Sequence, residues 1–500
     1  MNDGKTRRTV VILGGGTAGW MAAAALGRFL LGPRWAVTLV ESEAIGTIGV
    51  GEATIPQLQL FNRSLGIPEA DFLRAVEGTY KLGIQFDGWG WRENRYFHPF
   101  GFLGLDLEGV LFSHHWLRWR EEGGALDYPL FSTETQAAAQ NRFGMPPPDP
   151  HLPALGYAYH LDAGLYAALL RRYAEDRGVV RIEGRVAAVE RDVERGDLRA
   201  LTLDDGRRVE GDFFIDCSGF HGVLIERALG SAWEDWSHWL PVDAAVTVRS
   251  GPLDPLPPYT RSVAYSAGWR WCIPLQNRTG NGLVYVSSLI DHDAAERLLL
   301  QEIDGEPLGE PQRIRFRTGL RRRQWLGNCV ALGLSAGFIE PLESTAIYLI
   351  QVGIAKLLSY FPAADETADM ADVYNREMAG VYEDVRDFVL AHWVVNRREE
   401  PLWRTVREVE PPASLAERLA RFRARGEVLA GWEDLFKEQN WFTILTGQGL
   451  WPEHHHPVAD RFTFEEIDQR MRALRAAIER RVAALPPHRA YLGRLLGKTA

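Results

Sequence analysis

Residues 9–19 read Thr-Val-Val-Ile-Leu-Gly-Gly-Gly-Thr-Ala-Gly, and this stretch decides the fold at the start of the chain. The β-prone run at 9–13 ends in glycines, and an Ala-rich helical stretch continues to residue 30. Of the spaced glycines, Gly14 permits a tight turn, Gly16 lets the backbone approach a pyrophosphate, and Gly19 lets the helix pack on the strand. The N–H groups at the start of that helix then face the phosphates. The pattern predicts a dinucleotide site.

The acidic residue of this predicted site is Glu41, which follows a second β-like run at residues 35–40. It lies 22 residues after Gly19 (41 − 19), where a carboxylate accepts hydrogen bonds from the adenosine ribose and repels a 2′-phosphate, so FAD or NAD is favoured over NADP. Residues 213–219 and 327–333 resemble the later elements that complete the flavin pocket of two-lobed flavoproteins, which favours FAD. Because the sequence has no second glycine fingerprint, we expect a separate NAD(P)H-dependent flavin reductase to supply reduced FAD.

The composition excludes several classes of protein. The 500 residues carry 56 basic and 66 acidic side chains, and the net charge of −10 gives no general attraction to nucleic acid or anionic membranes. No uncharged apolar run reaches the ~18 residues that a membrane span needs. Cys217, Cys272 and Cys329 are widely spaced, so the sequence predicts neither disulfides nor a CxxC metal site and fits a reducing cytoplasm. Chemistry on a small molecule is the class that remains.

The order of predicted elements indicates an α/β (α+β) chain of two interwoven lobes. β-like runs alternate with helices up to about residue 360, and helices dominate beyond it. We expect a FAD-dependent monooxygenase-like fold with a Rossmann-type βαβ start. Residues 1–360 would form a discontinuous FAD-binding lobe, 85–150 would contribute to the substrate lobe, and 361–500 would form a mostly helical region that binds substrate and closes the site.

Two apolar stripes at helical spacing support the helical assignment of the C-terminal region. Both are expected to face the core, and the second follows a capping box formed by Thr463 and Glu466. The stripes consist of Met370, Val373, Met378, Val381, Val385 and Phe388, and of Ile467, Met471, Leu474, Ile478, Val482 and Leu485.

Six sequence blocks stand out along most of the chain. The most distinctive are Gly-Gly-Gly-Thr-Ala-Gly-Trp at 14–20 and Gly-Trp-Arg-Trp-Cys-Ile-Pro, a WxWxIP motif, at 268–274. The others lie at 49–56, 80–89, 159–162 and 337–345. Together and in this order they resemble the flavin-dependent halogenases of the tryptophan-halogenase type. The resemblance implies a two-component enzyme in which FADH2, oxygen and chloride or bromide generate hypohalous acid for an electron-rich aromatic substrate; a homodimer is one possible assembly.

Lys81 is one of only five lysines among the 56 basic residues. An isolated lysine is ordinarily just solvated, but a compact ammonium donates a directed hydrogen bond or loses its proton, whereas a guanidinium stays charged. The resemblance makes Lys81 the catalytic lysine, which activates hypohalous acid by hydrogen bonding or carries the halogen as a haloamine. It makes Glu343 the carboxylate that stabilises the cationic ring or the lysine and helps remove the ring proton. The residues alone equally allow Glu343 a helix-start or salt-bridge role, and Glu340 is expected to be structural.

Ser344, Thr345 and Ala346 precede a largely apolar, helix-like run at 347–358. Backbone N–H groups at the start of a helix bind an anion without a basic side chain, although plain N-capping is the simpler interpretation of these residues alone. The resemblance assigns halide binding to the backbone at Thr345 and Ala346, with Ser344 in support. Ala346 stands where some relatives have Gly, which leaves its N–H available.

The remaining site residues follow from the resemblance. From the residues alone, Trp269 and Trp271 are core aromatics on a strand, and His98 is a surface histidine or a buried one whose hydrogen bonds are satisfied. The resemblance implies instead that the two tryptophans lie by the flavin and keep organic substrate away from it. It also implies that His98 and Phe100 line the aromatic substrate. The implied FAD contacts are Gly14, Gly16, Thr17, Ala18, Gly19, Glu41, Ser42, Ile45, Ile48, Val50, Ala53, Val186, Leu334 and Ile347.

The histidine clusters of the chain predict no metal site. His454, His455 and His456 are consecutive, so their side chains do not converge easily on one ion, and no HExxH motif or carboxylate triad accompanies them. His114 and His115 likewise lack a set of further ligands.

The substrate is expected to be indole or an indole derivative. Residues 439–457 do not look like the region that clamps the amino-acid backbone in free-tryptophan halogenases, and they are more similar to relatives that act on indole or other simple arenes. Two alternatives stay open. One is a tryptophan halogenase proper, and the other is a flavin-dependent aromatic hydroxylase, which shares the fold but needs no halide.

Overall fold

The computed structural model describes residues 7–44, 51–362 and 368–497. In these ranges the strands are β1 Arg8–Leu13, β2 Trp35–Glu41, β3 Gly51–Ala53, β4 Thr79–Lys81, β5 Gly83–Asp87, β6 Arg95–Pro99, β7 Ala158–Asp162, β8 Val180–Glu183, β9 Val186–Arg191, β10 Leu198–Leu203, β11 Arg208–Glu210, β12 Phe213–Asp216, β13 Glu234–Asp235, β14 Ala244–Ser250, β15 Thr260–Tyr265, β16 Gly268–Pro274, β17 Thr279–Tyr285, β18 Gln312–Arg315, β19 Gly319–Leu320, β20 Trp325–Leu326, β21 Cys329–Ala331 and β22 Gly337–Phe338. The α-helices are α1 Thr17–Phe29, α2 Gln57–Leu65, α3 Glu69–Ala75, α4 Phe112–Glu121, α5 Thr133–Ala139, α6 Ala163–Glu175, α7 His292–Glu302, α8 Ala346–Ser359, α9 Ala368–Val394, α10 Pro401–Glu408, α11 Ala413–Arg425, α12 Glu438–Gly447, α13 Phe464–Ala484 and α14 His488–Leu496.

A six-stranded sheet in the order β20-β21-β12-β1-β2-β8 contains the first strand of the chain. β1 runs parallel to β12 and β2, with Val10 beside Phe213 and Val37. A central strand covered on both faces is apolar where it is buried, and Val10, Val11 and Ile12 of β1 are fully buried. β12 also pairs in parallel with β21. The predicted return of residues 213–219 and 327–333 to the first sheet is therefore confirmed.

A seven-stranded sheet, β18-β14-β17-β16-β15-β5-β6, carries the WxWxIP motif on β16, which is buried along its whole length. β16 lies between β17 and β15, and Trp271 is opposite Gly282 of β17. A Cβ atom at Gly282 would lie 2.0 Å from the indole of Trp271, so the glycine makes room for this ring. The sheet thus fixes the tryptophans between neighbouring strands.

A small sheet in the order β3-β7-β4 positions Lys81. Ala53 on β3 pairs with His160 of β7, and Lys81 on β4 pairs with Ala158 of the same strand. All three residues of β4 are buried. The sheet therefore holds the lysine inside the protein, one strand away from the Gly51–Ala53 segment.

Helices α9 to α14 form the C-terminal region, as the periodic stripes predict. The capping box is present, with the Thr463 hydroxyl accepting from the Glu466 N–H and the Glu466 carboxylate accepting from the Thr463 N–H. One stripe prediction was wrong: Met370 is 39% exposed, because at this end of α9 the buried face of the helix carries Ala371 and Tyr374 instead. Val373, Val381 and Leu474 are partly buried, and the other stripe residues are buried.

None of the described helices is long and apolar enough to cross a membrane.

Candidate active site

A cavity of about 1140 Å³ opens where β1 and β2 end. The side chains and backbone around it come from both large sheets and from the start of α8. The predicted site residues that line it are Gly14, Gly16, Thr17, Ala18, Glu41, Ser42, Ala53, Val186, Trp269, Trp271, Leu334, Ser344, Ala346 and Ile347. The predicted residues Ile45, Ile48 and Val50 lie outside the described residues.

The glycine turn has the close packing and the open side that a bound pyrophosphate requires. Gly14 has a φ of +114°, and a Cβ atom there would lie 2.3 Å from the Cys217 carbonyl oxygen. A Cβ at Gly19 would lie 1.8 Å from the Gly14 carbonyl oxygen, which lets α1 pack on the turn. At Gly16, by contrast, a Cβ would meet nothing within 4 Å. The cradle therefore fits the phosphates of FAD over Gly16 and the N-terminus of α1.

Glu41 lies at the wall of this cavity beside the glycine turn. Its Oε1 accepts a hydrogen bond of 2.6 Å from Arg181 Nε, and Arg171 lies 3.8 Å away. A Cβ atom at Gly15 would come within 1.3 Å of Glu41 Oε2, so the carboxylate touches the turn itself. The position fits recognition of a ribose diol and opposes a 2′-phosphate.

Lys81 is fully buried, and its ammonium lies behind the cavity wall. Nζ donates to Ser344 Oγ at 2.8 Å and to the Thr54 carbonyl oxygen at 3.1 Å, and it lies 4.9 Å from the centre of the Phe100 ring. Burial lowers the pKa of Lys81 to about 7, and the negative charge of Glu343 opposes that shift. Because Ser344 lines the cavity and also contacts Lys81, it connects the two places.

Glu343 is a buried carboxylate held between two histidines. Oε2 lies 2.9 Å from His98 Nδ1, and Oε1 lies 3.0 Å from His392 Nε2. Burial by itself would raise the pKa of Glu343, but the two imidazoles overcome it and lower the pKa to about 2. The two imidazoles therefore favour the ionised form of this carboxylate.

Glu340 has a different environment. Its oxygens accept hydrogen bonds from the indole nitrogens of Trp269, at 2.5 Å, and Trp393, at 2.7 Å. Burial raises the pKa of Glu340 to about 7, although the two indole donors act in the opposite direction. The residue ties β16 to α9 and sets the position of Trp269 at the cavity.

The turn before α8 fits a small anion. Ser344 has a φ of +61°, and Thr345 caps the helix that begins at Ala346. The first N–H groups of a helix have no intrahelical acceptor. The Thr345 hydroxyl is also buried without a hydrogen-bond partner among the described residues. An ion at this turn would satisfy donors that the protein leaves free.

Aromatic side chains surround the His98 side of Glu343. The His98 ring lies 5.5 Å from that of Phe388, which stacks on Phe436 at 3.6 Å and packs edge-on against Trp441 at 4.9 Å. Phe100 lies on the Lys81 side. The arrangement suits a flat, apolar ring held between the lysine and the carboxylate.

Sequence reasoning missed three residues that contact this site. Thr54 accepts from Lys81, His392 contacts Glu343, and Asn440 donates to His98 Nε2 at 3.1 Å. Thr54 and Asn440 lie inside segments that the sequence had singled out, at 49–56 and 439–457. His392 follows Phe388 by one helical turn on α9, so the stripe through Phe388 was the available signal.

Histidine side chains of both clusters form hydrogen bonds to protein groups. His455 lies between Glu121, 2.8 Å from Nδ1, and Asp460, 2.7 Å from Nε2. His114 accepts a hydrogen bond of 3.3 Å from the His456 N–H. Within the described ranges, no three His, Cys, Asp or Glu side chains are grouped so as to hold a metal ion.

Comparisons with known proteins give the same assignment as this geometry. The model of the tryptophan halogenase family matches residues 9–463. Tryptophan 7-halogenase RebH of Lentzea aerocolonigenes is 34% identical over 483 residues, which cover 90% of this chain and 91% of that protein.

Two solved structures share both fold and sequence with this chain. Xcc4156, a flavin-dependent halogenase from Xanthomonas campestris, has a TM-score of 0.95 and 46% identity over 99% of this chain and 100% of its own. BrvH, a flavin-dependent halogenase from Brevundimonas sp. BAL3, has a TM-score of 0.94 and 44% identity over 98% and 99%. The predicted family and fold class are thereby confirmed. The chain belongs to the tryptophan halogenase family and is a flavin-dependent halogenase, which uses FADH2 and a halide ion.

Proposed function

We propose that this halogenase acts on indole or a simple indole derivative and that Lys81 and Glu343 carry the reaction at the ring. The observation that supports this most is that Ser344 connects two sites. On one side of Ser344 lies a cavity that fits FAD, and on the other lies the buried Lys81 beside the buried carboxylate of Glu343. Flavin-dependent halogenases require a flavin reductase, and we propose an NAD(P)H-dependent partner for this chain.

Bound FADH2, with oxygen and halide, supplies hypohalous acid. The Thr345 and Ala346 N–H groups hold the halide at the start of α8. Trp269 and Trp271 line the cavity and in this proposal keep the arene away from the flavin. Hypohalous acid passes Ser344 and reaches the Lys81 ammonium, which donates a hydrogen bond to its oxygen.

The overall exchange is HO–X + Ar–H → H2O + Ar–X. The ring electrons attack the halogen, the O–X bond breaks, and the hydroxide takes a proton from Lys81 and leaves as water. The ring proton then passes to Glu343, and the C–H electron pair restores aromaticity. A pKa near 7 also gives Lys81 a neutral form at neutral pH, which is the form that bonds halogen as a haloamine. Glu343 accepts the ring proton in both cases, whether Lys81 hydrogen-bonds hypohalous acid or carries the halogen as a haloamine.

Aromatic walls favour a substrate without a charged head group. His98, Phe100, Phe388 and Phe436 come from β6 and its flank and from the region after residue 361, which supports the division into a substrate lobe built from 85–150 and 361–500. Trp451, in the segment that follows α12, stacks on Trp116 of α4 with the ring centroids 6.0 Å apart and is 41% exposed. Free tryptophan is the second candidate, since RebH, which is 34% identical, is named for it.

The decisive experiment compares Lys81→Ala with Lys356→Ala as the control. Lys356 lies at the far end of α8, and its ammonium pairs with Glu377 of α9. We expect Lys81→Ala to lose halogenation by at least about a thousandfold, since a directed donor is removed, while FAD binding stays as in the parent. Lys356→Ala should keep its activity. Product formation by Lys81→Ala at the parent rate would reject the assignment.

Substrate class is tested with the parent protein, a reductase and a panel of indole, phenol and free tryptophan in chloride or bromide. Mass spectrometry of the products distinguishes the candidates. We expect halogenated indole as the main product. Efficient, regioselective tryptophan turnover would overturn the indole assignment, and a hydroxylated product that forms without halide would favour the aromatic hydroxylase.

A further inference from the structure

The two histidines that hold Glu343 carry their protons differently. The Asn440 side-chain oxygen accepts from the Lys437 N–H at 2.8 Å, so its amide nitrogen is the atom that faces His98 Nε2. An amide N–H is only a donor, so Nε2 of His98 is an acceptor without a proton. His98 therefore carries its proton on Nδ1 and donates it to Glu343 Oε2 at 2.9 Å. This contact is satisfied with a neutral imidazole.

The contacts of His392, unlike those of His98, do not fit a neutral imidazole. Its Nδ1 lies 2.9 Å from the Phe388 carbonyl oxygen, which is only an acceptor, so Nδ1 carries a proton. In a neutral ring Nε2 would then present a lone pair to Glu343 Oε1, 3.0 Å away. Both atoms are buried and have no other hydrogen-bond partner among the described residues, and the contact is too bent for a regular hydrogen bond. Two lone pairs at this distance repel, so a proton between them is required.

We propose that His392 is a positioning residue for the halogenation: a proton on its Nε2, facing Oε1 of Glu343 at 3.0 Å, keeps this carboxylate ionised and in one orientation. The inference rests on the proposed role of Glu343 as acceptor of the ring proton. Pairing stabilises a buried carboxylate, because an unpaired buried charge carries a large desolvation cost. His98 contributes the second contact to the carboxylate through its Nδ1–H donor.

The proton matters because few other groups influence Glu343. Besides His98 and His392, the titratable groups that interact electrostatically with it are Lys81, across the substrate space, and Tyr96 on β6. Without the His392 proton, burial would raise the pKa of Glu343 toward the working range, as it does for Glu340. A protonated Glu343 neither balances the cationic ring nor accepts its proton.

The test replaces the ring and follows the pH dependence of kcat. His392→Phe keeps the ring volume but has no proton to share, and His392→Gln keeps one neutral N–H donor. His115→Phe is the matched control, since His115 is a buried histidine remote from the site with an unpartnered Nδ1. We expect His392→Phe to move the acidic limb of kcat up to about pH 7, the pKa that burial gives Glu340, so that the rate at pH 6 falls about tenfold. KM for the arene should change less than threefold, and His392→Gln should lie between His392→Phe and the parent.

A second measurement does not depend on activity. Difference infrared spectra against Glu343→Gln isolate the carboxyl band of Glu343 in the parent and in each variant. We expect an ionised band at pH 6 in the parent and a protonated one in His392→Phe. A protonated band in the parent, or unchanged band and acidic limb in His392→Phe, overturns the proposal. If Glu343→Gln halogenates normally, the proposed role of Glu343 fails, while the carboxyl bands still decide whether His392 keeps Glu343 ionised. If His392→Phe loses FAD binding, the test relies on His392→Gln and on the carboxyl band of the parent.

Discussion

Glu340 and Glu343 lie three residues apart and are both fully buried, yet their pKa values shift in opposite directions. Burial raises the pKa of Glu340 to about 7, because its partners are two neutral indole N–H groups. The same burial acts on Glu343, but two imidazoles lower its pKa to about 2. The partner therefore decides the charge of a buried carboxyl group, and burial alone does not.

The difference also separates a structural role from a chemical one. Glu340 joins Trp269 on β16 to Trp393 on α9, and both of its oxygens are used in that bridge. Glu343 interacts electrostatically with Lys81, on the side where the proposed mechanism delivers the ring proton. One short segment thus supplies a carboxyl group that bridges two tryptophans and another that we propose to be kept ionised for the reaction.

Of the changes that compare the two glutamates, Glu343→Gln is expected to have the largest effect. The amide keeps the shape of the side chain but removes the negative charge and the proton acceptor, so kcat should fall about 10² to 10³-fold. The FAD dissociation constant should stay within threefold, because Glu343 does not line the cavity. Single-turnover product formation and flavin titration measure the two quantities.

Glu340→Gln is the matched control for that variant. Its kcat should stay within about tenfold of the parent, because the side chain contacts indoles and no reacting atom. Equal losses in Glu340→Gln and Glu343→Gln would contradict the separation of their roles.

Much of the fold could be predicted from the sequence, because local patterns specify it. The glycine spacing at Gly14, Gly16 and Gly19 fixes the turn, and β-prone runs at 213–216 and 329–331 mark the strands that join it. Lys81 and Glu343 were found through rarity and family motifs. His392 was not, because the helical stripe through Phe388 indicates only core packing, and the importance of His392 comes from a contact with a residue 49 positions earlier (392 − 343).

A second prediction concerns stability against pH. The folded pKa of Glu340, about 7, lies above its ordinary value of 4.5, so the folded state binds more protons between these pH values. Its contribution to stability is therefore full below pH 4.5 and is lost as the pH rises through 7. The shift corresponds to up to roughly 3 kcal/mol.

Urea unfolding of the parent and Glu340→Gln at pH 5 and pH 8 isolates this contribution. We expect the parent to lose stability relative to the variant as the pH rises. Glu343 has the opposite sign, since its pKa of about 2 lies below 4.5; its contribution is present above pH 4.5 and is lost as the pH falls through 2. A parent and variant that respond identically between pH 5 and 8 would show that Glu340 is ionised throughout.

The smallest effect is expected from Trp393→Phe, which removes one of the two donors to Glu340. The phenyl ring retains much of the packing against Trp403, whose ring lies 4.7 Å away. One buried acceptor loses its partner, which costs about 1 to 2 kcal/mol when the carboxyl group is ionised. The cost should be smaller at pH 5 than at pH 8, because the neutral carboxyl group is less dependent on the donor.

The same variant tests whether the two glutamates are independent. Trp393 follows His392 on α9, yet its indole serves Glu340 and not Glu343. The acidic limb of kcat should therefore stay where it is in the parent, in contrast to the shift expected for His392→Phe. A common shift in both variants would mean that α9 positions the two carboxyl groups as one unit, and the charge of Glu343 would then depend on the structural bridge as well as on its imidazoles.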